Sequence, residues 1–177
     1  MASNLLAYRA STQIACSFAS LASGSTRESA VVVNDTSTQN NIDSLVSVTC
    51  TIASGTPSTT SPSINVYISA SEDGTNWPIV QQSNGATYTT GAGDASAGAL
   101  GSPTNLRLIG IIACMTTTSA SERTFRSLPF SVAAACNNVM PRKWSVFIEN
   151  QVGVAFSTST TSTANYVSYT GTYVTSS

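Results

Sequence analysis

The sequence predicts an all-β protein, an antiparallel two-sheet sandwich with about nine strands and long surface loops. Apolar and polar residues alternate with a period of two in most apolar runs, and almost nowhere with the period of 3.6 that marks a helix. Turn-forming clusters rich in Gly, Pro, Asn and Asp separate these runs at nearly regular spacing. Many short strands at such spacing are typical of sandwiches, and we expect a jelly-roll-like arrangement.

The alternation places the strands in chain order. Residues 46–52 and 64–70 show it most clearly, with every second side chain apolar, and residues 14–18 follow the same pattern. The further predicted strands are 29–34, 105–115, 125–133, 143–150, 152–157 and 164–175.

Two connections stand out by composition. Residues 89–103 are small and show no periodicity, which predicts a long surface loop and the best candidate for a contact arm. Residues 157–163 consist of Ser and Thr alone, which favours an exposed hairpin tip over a binding segment.

A chain of 177 residues is expected to form one domain. We predict a single β-sandwich domain over 20–177, preceded by an N-terminal segment, 1–19. That segment carries Leu5, Leu6 and Tyr8 as candidate partner contacts. It is either a first core strand or an arm that adds a strand to a neighbouring molecule.

The composition excludes several classes of function. The chain has no histidine and only 8 % charged residues, so it offers no Ser-His or Cys-His pair and no His metal ligand. Its seven basic residues are scattered and the net charge is −1, which argues against a nucleic-acid partner. No stretch approaches the roughly 20 apolar residues of a membrane span, and no secretion signal is seen. We expect a soluble protein made in the cytoplasm, without a cofactor or metal and without a membrane partner.

The four cysteines, Cys16, Cys50, Cys114 and Cys136, lie far apart and form no CxxC pair. Three of them fall on the apolar side of predicted strands, which favours small core residues. One or two disulfides formed in an oxidising medium are the alternative. A glycosylation sequon begins at Asn34, and the missing secretion signal argues against its use.

Few residues suggest chemistry. Glu72 and Asp73 are the only adjacent carboxylates, and Gly74 follows them. This composition favours a turn over a calcium site or an acid–base pair. Lys143, the sole lysine, lies near Ser145, but its position at the start of a strand favours a solvated charge over a catalytic dyad. We predict no catalytic residues and no enzyme activity.

The two tryptophans are expected to differ. Trp144 shares its phase with Val146 and Ile148, which predicts a core position. Trp77 follows a turn and either packs against the end of the sandwich or contacts a ligand or partner. An exposed platform of Trp77 with Tyr88 or Tyr67 would support a carbohydrate- or receptor-binding module.

Several motifs resemble a family of small structural proteins encoded by tailed bacteriophages, over most of the chain from about residue 20 onward. They are 20–30 (SLASGSTRESA), 102–110 (SPTNLRLIG), 128–135 (LPFSVAAA) and 139–153 (VMPRKWSVFIENQVG). The resemblance implies a β-rich fold and a role in the virion.

With the composition, it leads us to expect a capsid decoration or cement protein that binds the head lattice and stabilises it. Its expected partners are the major capsid protein or other virion proteins, and further copies of itself. The alternatives are a tail, neck or fibre-anchoring component and, in another class, a carbohydrate- or receptor-binding module.

Overall fold

The computed structural model describes residues 4–34, 40–57, 61–101, 105–115, 117–159 and 164–176. They form an all-β fold of antiparallel sheets with one short helix. The strands are β1 (Asn4–Tyr8), β2 (Thr12–Ile14), β3 (Thr26–Glu28), β4 (Val32–Val33), β5 (Asp43–Ile52), β6 (Ser63–Ser71), β7 (Ile79–Gln81), β8 (Thr87–Thr89), β9 (Ser96–Gly98), β10 (Arg107–Ala113), β11 (Arg123–Arg126), β12 (Phe130–Ser131), β13 (Lys143–Gln151) and β14 (Tyr166–Ser176). Helix α1 (Val132–Ala135) lies between β12 and β13.

The strands form two six-stranded sheets and one two-stranded sheet. The first sheet has the order β1-β14-β5-β11, with β12 paired to β5 and β2 to β14. The second has the order β10-β6-β13-β3-β9, with β4 paired to β13. Strands β7 and β8 form the two-stranded sheet. The longest pairing joins β6 and β13, from Lys143 opposite Ser71 to Gln151 opposite Ser63.

One hydrophobic core is shared by the two large sheets. The first sheet contributes Val46 and Val48, and the second contributes Val66, Val146 and Ile148, all at most 1 % exposed. Burial of each such side chain contributes about 1.5–3 kcal/mol.

Trp144 is also fully buried in this core, where its ring meets the edge of Tyr169 with centroids 5.5 Å apart. The predicted core position of Trp144 is therefore confirmed, and burial alternates as predicted along β6 and the first half of β5.

The outer face of the second sheet is also covered. Phe147 points away from the shared core and packs in a second cluster with Val80, Ala97 and Leu106. These partners come from the segment between β6 and β10, which we name the covering segment (77–101 and 105–106). Strand β13 is therefore buried on both faces.

The covering segment corrects the prediction of a long surface loop at 89–103. Within its described residues, β9 pairs with β3, and Ala97 is fully buried. Strand β9 consists of three small residues, which are too few to show an alternation of apolar and polar side chains, so the sequence does not predict it. The Ser/Thr run at 157–163 lies largely outside the described residues.

Other predicted strands are shorter or divided. Residues 125–133 contain the end of β11, then β12, then the start of α1, whose first turn is capped by the Ser131 hydroxyl accepting from the Ala134 N–H. Residues 152–157 form no strand, and only Phe156 bridges to Ile52. Gly153, at a φ of +90°, interrupts the extended backbone there.

Further differences lie near the N-terminus. Only β4 forms within 29–34, and β3, which precedes it, was not predicted. Within 14–18, the strand ends at Ile14, yet Phe18 is fully buried beside the ring of Phe156. Strands of two or three residues are too short for a period-two pattern to be read, so the count exceeds the nine predicted.

All four cysteines are free. Cys50 and Cys136 are buried in the shared core, and Cys16 and Cys114 pack against it. Burial raises the pKa of the Cys50 thiol well above its usual value and that of Cys114 to about 11. They pack as small core side chains.

Strand β10 offers a test of the sheet register, because adjacent isoleucines face opposite ways. Ile112 is 7 % exposed and packs in the shared core, whereas Ile111 is 58 % exposed. We expect Ile112→Ala to lower the free energy of unfolding by about 2–5 kcal/mol. Ile111→Ala should change it by less than about 0.5 kcal/mol. Chemical denaturation measures both, and equal effects would contradict the register.

Candidate functional site

The first candidate surface is a ribbon formed by the two ends of the chain. We name β1 together with residues 172–176 of β14 the terminal ribbon. Strand β5 pairs with β14 only up to Thr172, so in the described structure the last residues of β14 pair with β1 alone. Leu5, Leu6, Tyr8 and Val174 are each 51–61 % exposed, and Leu6 lies opposite Val174. Of the four predicted contact residues, Leu5, Leu6 and Tyr8 thus share one exposed, apolar element, and Trp77 lies elsewhere.

Within the N-terminal segment, β1 lies at the edge of the first sheet and outside the core, whereas Ile14 of β2 and Phe18 are buried in the shared core. The base of β1 is held where Arg9 follows it. The Arg9 guanidinium lies 4.5 Å from the centroid of the Tyr173 ring and donates to Asn41 Oδ1 at 2.8 Å. The Arg9 N–H donates to the Gly171 carbonyl. These contacts fix the base of the terminal ribbon to the sheet.

The outer edge of β1 differs from the other sheet edges. Native edge strands are commonly protected by charge, irregularity or shortness. Strand β10 has Arg107 and a register shift between Leu108 and Gly110. Strand β11 carries Arg123 and Arg126, and β9 has three residues. Strand β1 carries no charged residue and pairs regularly over its whole length. Of these four edges it is the one without protection.

The second candidate surface gathers residues that the sequence singled out separately. We name Glu72, Asp73, Asn76, Trp77 and Pro78, beside Ala70, the Trp77 corner. These residues line a shallow cavity of about 350 Å³ at one end of the second sheet.

The carboxylate pair in this corner forms a turn, as the sequence favours. Asp73 Oδ1 accepts from the backbone N–H groups of Asn76 and Thr75, each at 2.8 Å. These bonds, with one from the Asn76 side chain, hold the pKa of Asp73 well below its usual range. Lys143 lies beside the turn, since a Cβ at Gly74 would be 3.7 Å from Lys143 Cε.

The hydroxyl of Ser145 is already occupied by another partner. Ser145 is fully buried, and its hydroxyl donates to Glu28 Oε1 at 2.7 Å. The arrangement gives no sign of a Lys143–Ser145 dyad.

Trp77 packs on the chain at Gly91. A Cβ at Gly91 would lie 2.5 Å from two carbons of the indole ring, so only glycine leaves room for this contact. Gly91 also has a φ of +81°, a conformation that favours glycine. One face of the Trp77 ring therefore rests on backbone while the half-buried side chain lines the cavity.

The platform of Trp77 with Tyr88 or Tyr67, which would support a binding module, is not seen among the described residues. In the described chain Trp77 makes no ring pair with either tyrosine. The Tyr88 ring packs edge-on against Phe147, and its hydroxyl donates to Glu28 Oε2 at 2.6 Å. The Tyr67 hydroxyl donates to Glu149 Oε2 at 2.9 Å. Both phenol hydroxyls are therefore engaged by buried carboxylates of the second sheet.

Two buried carboxylates were missed by sequence reasoning. Glu28 is fully buried and accepts from Tyr88, the Gly91 N–H and Ser145 at 2.6–2.7 Å. Glu149, 6 % exposed, accepts from Asn65, Tyr67 and Gln151. Glu149 is out of phase with Trp144, Val146 and Ile148 on β13, and no local signal shows that its face of the strand is buried.

The described residues show no other chemical centre. No group of three or more His, Cys, Asp and Glu side chains among them could hold a metal ion. No helix in this part of the chain is long and apolar enough to span a membrane.

Comparison with known protein families, curated proteins and solved structures finds no match to this chain.

The phenol–carboxylate contacts predict an unusual alkaline titration. Burial, with the hydrogen bond to Glu149, raises the pKa of Tyr67 to about 12. A raised phenol pKa stabilises the fold fully below the unfolded value of about 10, and this contribution is lost as pH rises toward 12. We expect wild-type stability to fall more steeply across that range than the stability of Tyr67→Phe. Absorbance of tyrosinate and denaturation at each pH measure this, and parallel profiles would contradict it.

Proposed function

We propose that this protein is a structural component of a tailed-phage virion, a decoration protein that binds the capsid lattice and stabilises it. In this proposal the two large sheets form a jelly-roll-like sandwich, and the protein works as an oligomer on the particle surface. Two observations support the proposal: the family resemblance of the sequence from about residue 20 onward, and the exposed terminal ribbon.

The terminal ribbon is the observation that carries the proposal. An isolated two-stranded ribbon is marginally stable in water, and this one exposes apolar side chains on both faces. Its outer edge leaves backbone groups available for strand addition. Docking on the major capsid protein would bury Leu5, Leu6, Tyr8 and Val174 and pair that edge. A protein that binds only the assembled shell stabilises it by mass action.

Substitution of Leu6 tests the contact. We expect Leu6→Lys to weaken binding to capsids purified without this protein by at least about tenfold. The reason is that a lysine places charge on the unprotected edge and removes an apolar contact. Co-sedimentation with capsids measures the binding.

Leu108→Lys is the matched control, since Leu108 is 51 % exposed on β10, the edge strand of the second sheet. It should bind like the wild type. Unchanged binding of a folded Leu6→Lys variant would contradict the proposed contact.

The copy number per particle separates capsid decoration from the neighbouring alternative. A lattice-bound protein should be present in hundreds of copies, because it repeats with the major capsid protein. Quantitative mass spectrometry of purified particles measures the ratio. A few to a few dozen copies would contradict decoration and favour a tail, neck or fibre-anchoring component.

A further inference from the structure

We propose that the Trp77 corner is a binding site for one neutral sugar ring of a glycan, a function independent of attachment to the particle. The ring stacks on the indole of Trp77, and its hydroxyls donate to the carboxylates beside it.

The indole is held rigidly from beneath. It rests on Gly91, and the Gly91 N–H donates to the fully buried Glu28 at 2.7 Å. Tyr88 and Ser145 fix the same carboxylate. A ring already fixed in its bound position loses little conformational entropy when a ligand arrives. Glu28 therefore acts as a positioning residue for the platform.

The cavity supplies the remaining chemistry of sugar recognition. Its volume of about 350 Å³ lies at the small end of the range for ligand pockets, about 300–1,000 Å³. Asp73 Oδ2 accepts from the Asn76 side chain. A carboxylate oxygen has capacity for a further donor. An apolar ring face beside oxygen acceptors fits the C–H face and hydroxyl groups of a pyranose.

The charges around the corner favour a neutral ligand over an ion. Glu72 and Asp73 supply two negative charges, and the end of the Lys143 side chain lies beside them, with Cε 3.7 Å from the position of a Cβ at Gly74. The carboxylates would repel an anionic sugar at the cavity. The ammonium group of Lys143 disfavours a cationic ligand, which would otherwise suit an indole and two carboxylates.

The test uses ligand-observed saturation-transfer NMR on the full chain. The probes are glucose, galactose, mannose and N-acetylglucosamine, with N-acetylneuraminic acid as the anionic comparison and methylguanidinium as the cationic one. We expect at least one neutral sugar to bind at about millimolar concentration. Trp77→Ala should weaken this binding by at least about tenfold.

Gly91→Ala is a second variant that leaves the indole in the chain but displaces it, because the added Cβ would occupy the ring position. It should also lose the sugar. Tyr8→Ala is the matched control, an exposed aromatic of the terminal ribbon. Tyr8→Ala should bind the sugar like the wild type and bind capsids more weakly. Trp77→Ala should lose sugar binding and bind capsids like the wild type.

Fluorescence gives an independent readout. The chain has two tryptophans, and Trp144 is fully buried, so acrylamide quenching reports on Trp77. A bound sugar should reduce that quenching. Binding of methylguanidinium or N-acetylneuraminic acid alone, absence of any neutral-sugar signal, or binding unaffected by Trp77→Ala in a folded protein would each overturn the proposal.

Discussion

The position of the covering segment on the second sheet depends on one buried carboxylate, Glu28. It has no solvent exposure, and its partners are two hydroxyls and a backbone N–H. A buried charge is tolerated only where donors replace the water it has lost. Tyr88 and Gly91 belong to the covering segment and Ser145 to β13, so satisfying Glu28 brings segment and sheet together. Loss of one hydrogen bond at such a group costs about 1–3 kcal/mol or more.

The same contact explains what sequence reasoning reached and what it did not. Alternation on β13 identifies the inner face, including Trp144 and Val146, because that information is contained in neighbouring residues. The outer face of the strand holds Phe147 and Glu149, and the residues that pack on Phe147 come from a segment distant in the chain. Glu28 and Ser145 are 117 residues apart. No local pattern indicates such a pairing. A strand face that another segment covers therefore has the same sequence pattern as a face exposed to solvent.

For each of the two candidate surfaces, the sequence likewise shows one part and the structure the other. The apolar character of Leu5, Leu6 and Tyr8 is visible in the sequence, and so is a tryptophan after a turn. The partners are not visible: Val174 lies opposite Leu6 only because the chain ends pair, and Trp77 rests on Gly91 only because Glu28 holds that backbone. The side chains of each surface are visible in the sequence, whereas the contacts that hold them in place form only in the assembled fold.

These supports give the two surfaces different physical properties. Beyond Thr172 the terminal ribbon is held by one strand pairing, which is weaker support than a sheet strand paired on both sides. The Trp77 corner rests on a satisfied buried network and is already ordered. The first is in the sheet of β14 and the second beside the sheet of β13, and their residues do not overlap. Occupation of the terminal ribbon by a particle would therefore leave the chemistry of the corner unchanged. Under the proposed function, the terminal ribbon would attach the protein to the particle while the Trp77 corner stays free to bind a sugar.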